Sequence, residues 1–354
     1  MEELLKEACY TPTPTDIKEN AILALSPELL ATLLIDHTTH NNILWATDNY
    51  AHLGTGYQFN DAIQIEAITG EHGNVIVPRA LKNRQQQQQR SREMAEVFTP
   101  SWICNKQNNL IDSAWFGREN VFNCEVDNPD GSHTWLPTET TIEFPEGKTW
   151  KDYVRDTRLE ITCGEAPYLV SRYDAVSGTL IPIERRIGML DRKLRVVGEN
   201  CHTSGEWLKA AQIAYQNCYG YEWQGDNILL ARESLLMTFV DYYVAKFHTP
   251  PLLKSLKYIA YIISWNIWQM DGLKGVIPGS CHERVTKIPS LFGDVECAIT
   301  PCEGCQKGDI KLHNGTQCIL RDWGKSKPKD WKSQSSEDDK SKPWQKIRFI
   351  DLIQ

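Results

Sequence analysis

Apolar residues at Ile228, Ala231, Leu235, Phe239 and Tyr243 recur every three or four positions, the period of a helix with a buried face. Asp226 stands ahead of the run as a cap, and His248-Thr249-Pro250-Pro251 ends it, so the pattern predicts one long helix between them. Around this helix short apolar runs alternate with helical ones. Residues 159–162 and 217–222 and 265–270 read as strands, and residues 207–216 and 252–263 read as helices. Strands alternating with helices predict an α/β fold, a parallel sheet with helices on both faces.

Upstream the pattern changes. Residues 21–36 are helical in period, with Ser26-Pro27-Glu28 supplying a cap and a first-turn proline. Residues 43–78 alternate like strands between glycine turns, and residues 101–116 are expected to form a helix after Pro100. Residues 124–150 are rich in turn signals. Within them Asn128-Pro129-Asp130-Gly131 predicts a β-turn, not a catalytic Asn-Pro pair. Residues 325–346 are polar and of low complexity, the composition of a linker. No internal repeat is found. Four segments follow: an N-terminal α+β region (1–92), the α/β region (93–276), a Cys/His-rich segment (277–324), and a polar linker with a terminal strand (325–354).

Composition is that of an ordinary globular protein, with 41% apolar and 24% charged residues in 354. No apolar run reaches the roughly 18 residues of a membrane helix, and the acidic start MEELLKEACY lacks the features of a signal peptide. A cytoplasmic location is the expectation, with no membrane partner. Net charge is −8, which does not advertise a nucleic-acid binder. Arg79, Lys82, Arg84, Arg90 and Arg92, around Gln85 to Gln89, form a basic strip that could meet DNA or could equally be a solvated, partly disordered loop.

Ligands of open α/β sheets bind beyond the carboxyl ends of the strands. Cys163-Gly164-Glu165-Ala166 follows the first strand, and glycine there lets backbone approach a ligand. Glu222 ends the next strand and could accept hydrogen bonds from both ribose hydroxyls. Asp271 ends the third and could accept from an adenine amino group. A nucleoside cofactor accounts for all three positions. Separately, Cys302-x2-Cys305, His313 and Cys318 make a Cys3His set suited to structural zinc, with Cys297 and Cys281-His282 as substitutes. The odd total of eleven cysteines argues against a disulfide framework.

The ordered set Phe98-Thr99-Pro100, Glu160 with Cys163-Gly164, Glu222 and Asp271 resembles the adenine-N6 DNA methyltransferases of restriction–modification systems. The wider sequence, including Asn42-Ile43-Leu44-Trp45-Ala46-Thr47-Asp48, looks like bacterial proteins of the restriction endonuclease subunit M type. The resemblance implies a Rossmann-like, S-adenosylmethionine-dependent methyltransferase domain. It implies that Phe98, Thr99 and Pro100 hold the methionine part, that Glu160 precedes the glycine loop, and that Glu222 and Asp271 hold ribose and adenine. It also implies DNA and a restriction or specificity subunit as partners.

Three departures stand out. Ala166 replaces a second glycine and is expected to crowd the cofactor. The long stretch to Glu222 makes residues 177–206 an insertion, read as a loop over the site. The family's Asn/Asp-Pro-Pro-aromatic acceptor motif is not in the sequence; the one Pro-Pro is Pro250-Pro251. Ile347 to Gln354 resembles the strand that leads into that motif, and Asp322-Trp323 are candidate substitute acceptors. The readings are thus an S-adenosylmethionine-dependent methyltransferase, a catalytically incomplete modification subunit that needs a partner, or a zinc-containing DNA-binding protein without cofactor.

Overall fold

A computed structural model of the chain describes residues 14–93, 96, 97, 99–289, 295–324 and 346–353. Phe98, the acidic start and most of the polar linker therefore lie outside the described residues. The fold is mixed α/β, with helices packed around small sheets, one of them parallel, and no closed barrel among the described residues.

The N-terminal helical pattern splits into α1 (Glu19–Leu25) and α2 (Pro27–Leu34), because Ser26 is extended and Pro27 cannot donate to the preceding turn. A small antiparallel pair follows, β1 (Ile35–Asp36) with β2 (Asn41–Asn42). Residues 43–78 are not the expected strands. They form 3-10 turns with one isolated bridge, Leu44 to Ala62. Their alternating apolar residues fill the core from an irregular path. Trp45 is fully buried, its ring 4.6 Å from Tyr50 and 5.5 Å from Tyr57, and its carbonyl accepts the Gly225 N–H at 3.1 Å.

The glutamine run is a helix, α3 (Arg84–Glu93), in keeping with the helix propensity of Gln and Arg. Helix α4 (Ser101–Phe116) follows Pro100 as expected. Strands β3 (Asn123–Asp127) and β4 (His133–Pro137) form a hairpin whose turn closes through the Gly131 N–H on the Asn128 carbonyl, 3.0 Å.

Helix α5 (Trp150–Arg155) leads into the parallel sheet: β5 (Arg158–Glu160), β6 (Cys218–Glu222) and β7 (Ile267–Gln269), in that order. Leu159 pairs with Tyr219, and Tyr221 with Trp268. Between β5 and β6 lie α6 (Met189–Asn200) and α7 (Ser204–Gln216), the latter started by a Thr203–Glu206 capping box. The stretch 177–206 is thus not a loop over the site. Leu190, Leu194, Val196 and Val197 of α6 are core residues, and the Asp191 carboxylate anchors the helix start on the Ser171 N–H at 2.8 Å. Between β6 and β7 run α8 (Gly225–Phe247) and α9 (Leu253–Asn266). Helix α8 is buried on nearly all faces, as expected of a helix through the middle of a large core. None of the described helices is long and apolar enough to cross a membrane.

One apolar core runs from Ile22 and Leu29 through α8 to Ile263 and Ile267, so the N-terminal helices share it with the sheet. Arg232 of α8 fastens the two. Fully buried, it donates to the carbonyls of Leu33 and Ile35 at the end of α2 and of Ser264 and Ile267 at the end of α9, over 2.6–3.1 Å. Two helix C-termini thereby present their negative ends to one cation.

On the other sheet face Tyr221, Trp268 and Met270 pack against Ile277, Cys318 and Leu320. Strand β5 lies at the edge of the sheet. On this face its Leu159 is exposed, as is Ile161 just beyond the strand.

Beyond β7 the chain forms the ribbon β8 (Arg284–Pro289) and β9 (Val295–Thr300), the short helix α10 (Glu303–Lys307), and β10 (Ile319–Arg321), which pairs antiparallel with β11 (Lys346–Arg348). The terminal strand therefore does not extend the parallel sheet. Its backbone groups are taken by β10, and Phe349 packs beside Tyr221 and Trp268.

Candidate functional site

The parallel strands end at a cleft of about 790 Å³, lined among others by Thr99, Glu160, Cys163, Gly164, Glu222 and Trp223. The loop after β5 builds one wall. Thr162 and Ala166 both take positive φ, 45° and 61°, which is strained for residues with a Cβ, above all for the branched Thr162. The loop is held by the Cys163 N–H on the Tyr221 carbonyl, 2.8 Å. Ala166 does not crowd the cleft. It is fully buried in the core and does not line the cleft.

Three buried acids line this space: Glu96, which is paired with Arg90 at 2.5 Å, and Glu222 and Glu160, which have no such partner. Glu222, at the end of the middle strand, accepts the N–H of Gly164 at 2.9 Å and of Trp223 at 2.8 Å. Glu160 accepts the N–H of Tyr168 at 3.2 Å and of Leu169 at 2.9 Å. Burial pushes the Glu160 carboxyl up to about 8, against the pull of those two donors, and the neighbouring Glu222 adds to the rise. Burial raises Glu222 also, opposed by its three backbone donors. No described cation is hydrogen-bonded to either acid, so the cleft holds acceptor capacity on two sides. The Trp223 indole is pinned by its own N–H on the Ala46 carbonyl, 2.9 Å.

Among the residues singled out in the sequence, Thr99, Glu160, Cys163, Gly164 and Glu222 meet at this cleft. Pro100 and Asp271 do not line it. Pro100 precedes the first turn of α4. The Asp271 carboxylate is spent on its own turn, accepting the N–H of Leu273 at 3.0 Å and of Lys274 at 3.2 Å, beside the Lys274 ammonium. Asp322 and Trp323 do not line it either. The Trp323 indole donates to Asn266 at 2.8 Å and lies under the Arg321 guanidinium. Tyr168, Trp223 and Asn227 line the cleft but carried no sequence signal beyond adjacency to Glu222 and the glycine loop.

The basic strip is divided. Arg90 is buried, with Asp226 at 2.8 Å and Glu96 at 2.5 Å, and the Lys82 ammonium lies 3.9 Å from Asp226. Burial opposes the Asp226 charge, but Arg90 and Lys82 outweigh it and hold the carboxyl at about 2. Asp226 is accordingly not the cap of α8; the N-cap position is Gln224. Arg84 and Arg92 remain exposed, Arg92 on the rim of the cleft.

A second cluster lies in the C-terminal segment. The ligand atoms of Cys281, Cys302, Cys305 and His313 all fall within 4.8 Å of one another. Cys318 does not belong to this cluster. The backbone of Cys318 bonds to Gly275 and Phe349, which turns its thiol into the sheet face, 3.5 Å from the Gln269 carbonyl. Cys281 takes the fourth place, carried there because residues 276–281 run beside 313–317, with Ile277 N–H on the Thr316 carbonyl at 2.9 Å. The described cysteines form no disulfide.

The chain matches no protein-family model, no curated protein and no solved structure.

Proposed function

We propose that the cleft binds the nucleoside methyl donor S-adenosylmethionine, and that the chain is an adenine-N6 DNA methyltransferase-like modification subunit of a restriction–modification system. On this reading the three parallel strands and their helices are half of a Rossmann-like methyltransferase sheet. The observation that carries it is Glu222. Its carboxylate sits at the end of the middle strand, oriented by the Gly164 and Trp223 amides, in a cleft large enough for a nucleoside.

The donor set suits the cofactor. Glu222 has lone pairs for ribose hydroxyls, Glu160 a carboxylate for the cationic methionine end, and the loop from Thr162 to Gly164 brings backbone close to both. Bound, the cofactor would supply an electrophilic methyl group. The protein's own share is to hold its ribose through Glu222 and to balance its positive charge through Glu160. Asp271 takes no part, since it does not line the cleft.

No Asn/Asp-Pro-Pro-aromatic motif stands in these residues, and Pro250-Pro251 follow the end of α8. That favours a second reading of the same site: the chain binds the methyl donor and a partner supplies the acceptor groups for the base. DNA is the proposed macromolecular partner in both, with the exposed Arg92 on the cleft rim and Arg84, which shares a neighbouring depression with it, as phosphate contacts.

Thermal unfolding with S-adenosylmethionine tests the common part. Ligand at about 100 times its dissociation constant should stabilise the fold by about 2.7 kcal/mol. Glu222→Ala should remove the effect and Asp271→Asn should leave it. No shift in the wild type refutes the cofactor reading and leaves a DNA-binding protein without cofactor. Methyl transfer to unmethylated DNA by the chain alone separates the two readings.

A further inference from the structure

We infer that Cys281, Cys302, Cys305 and His313 hold a zinc ion that closes the base of the β8–β9 ribbon. This is independent of the methyl-donor cleft.

The distances are those of an ion's coordination sphere. With Zn–S near 2.3 Å and Zn–N near 2.0 Å, a tetrahedron has S–S edges of about 3.8 Å and S–N edges of about 3.5 Å. Here Cys281 Sγ lies 3.3 Å from Cys302 Sγ and 3.7 Å from Cys305 Sγ. The His313 Nδ1 lies 3.6, 3.4 and 3.7 Å from the sulfurs of Cys281, Cys302 and Cys305. The sulfurs are too far apart for an S–S bond of about 2.05 Å. Three soft thiolates and an imidazole in this arrangement favour zinc over calcium or magnesium, which take oxygen ligands.

The surroundings are shaped to bring the four together. A Cβ on Gly304 would stand 2.6 Å from the His313 backbone nitrogen, and one on Gly315 would stand 2.9 Å from that of Cys281. Both close approaches need glycine. The Cys305 N–H points at the Cys302 sulfur, 3.4 Å, as in a thiolate-binding knuckle. Asn314 lies 3.5 Å from the Cys281 sulfur and accepts the His282 N–H at 3.1 Å, fixing the turn that carries Cys281.

All four positions are protein ligands, so the site is closed and structural. Its place defines its work. Cys281 precedes β8 and Cys302 follows β9, so the ion ties both ends of the ribbon to His313. From there the pairing of 276–277 with 316–317 carries the tie to the sheet face at Trp268 and Met270.

Metal analysis and thiol labelling of the full chain test this. Protein incubated with zinc and desalted should retain one zinc per chain. Cys318→Ser should keep it and Cys281→Ser should lose it. Alkylation read by mass spectrometry needs no variant. Cys305 is exposed and Cys281 half-buried, so burial does not protect them; they should resist labelling until a chelator is added, while exposed Cys124 labels throughout. Zinc-free wild type, chelator-independent labelling of Cys281 and Cys305, or zinc lost with Cys318→Ser but kept with Cys281→Ser would each overturn the assignment.

Discussion

Binding of a cationic nucleoside in the cleft should release protons, and Glu160 sets how many. Its folded-state pKa is raised to about 8 by burial. At pH 7 such an acid carries about 0.9 of a proton. A ligand whose positive charge lies beside it favours the carboxylate, so binding expels that proton. Relative to Glu160→Gln, wild-type affinity should then rise about 50-fold from pH 6 to pH 8 and level off above, as the acid ionises without help. The ligand's α-amino group also titrates, near about 8, but it is common to any two proteins compared. The assay is titration calorimetry with S-adenosylmethionine at pH 7 in buffers of different ionisation enthalpy, on wild type and Glu160→Gln. Proton release should be about 0.9 greater in the wild type. The same shift has a sign for stability. A raised folded-state pKa contributes stability that is complete below the ordinary carboxyl value of 4.5 and is lost as pH rises through about 8. Without ligand the wild type should therefore lose stability over that window, and Glu160→Gln should lose less. Equal proton release in the two proteins, with binding intact, would refute the placing of Glu160 against the ligand's charge.

Two further predictions concern the frame that holds the cleft. Arg232→Met leaves four carbonyls, three of them buried and that of Ile35 partly so, without their donor; at roughly 1 kcal/mol each the loss is about 4 kcal/mol, read as a lower urea midpoint, and a change within about 0.5 kcal/mol would contradict the role given to it. Gly225→Ala puts a Cβ 2.0 Å from the Leu44 carbonyl oxygen; the substitution should destabilise by about 2 kcal/mol in thermal unfolding, although the same exchange in an open helix would stabilise.

How much of this was legible depended on the range of the signal. Helix α4, the Asn128–Gly131 turn and the three parallel strands were readable because caps, turn residues and periodicity are local. The alternation over 43–78 overstates the strands, since Ile43 and Trp45 pair with residues 61–63 only through the single Leu44–Ala62 bridge and the rest of the stretch turns. The basic strip misled because Asp226 lies far along the chain from Arg90, and charge read in one dimension cannot show which cations turn inward. Likewise Cys318 fitted the ligand spacing, but the pairing of 276–277 with 316–317 brings in Cys281 and turns Cys318 to the sheet. Asp271 stood at a strand end as expected and was claimed by its own turn.

The left-handed turn at Thr162 has a consequence for solubility. Strand β5 is an edge of the parallel sheet among the described residues, with Leu159 and Ile161 exposed beside its outer backbone. Such an edge is a template on which another extended chain can add and seed aggregation. The ladder of β5 is only three residues long, and two residues past its end Thr162 turns the backbone to φ 45°. An incoming strand would find too few consecutive hydrogen-bonding groups to gain a foothold. The strain that aims the loop at the cleft thus also shortens the sheet's sticky margin, and a substitution that relaxed it would put at risk the chain's behaviour at high concentration as well as its ligand site.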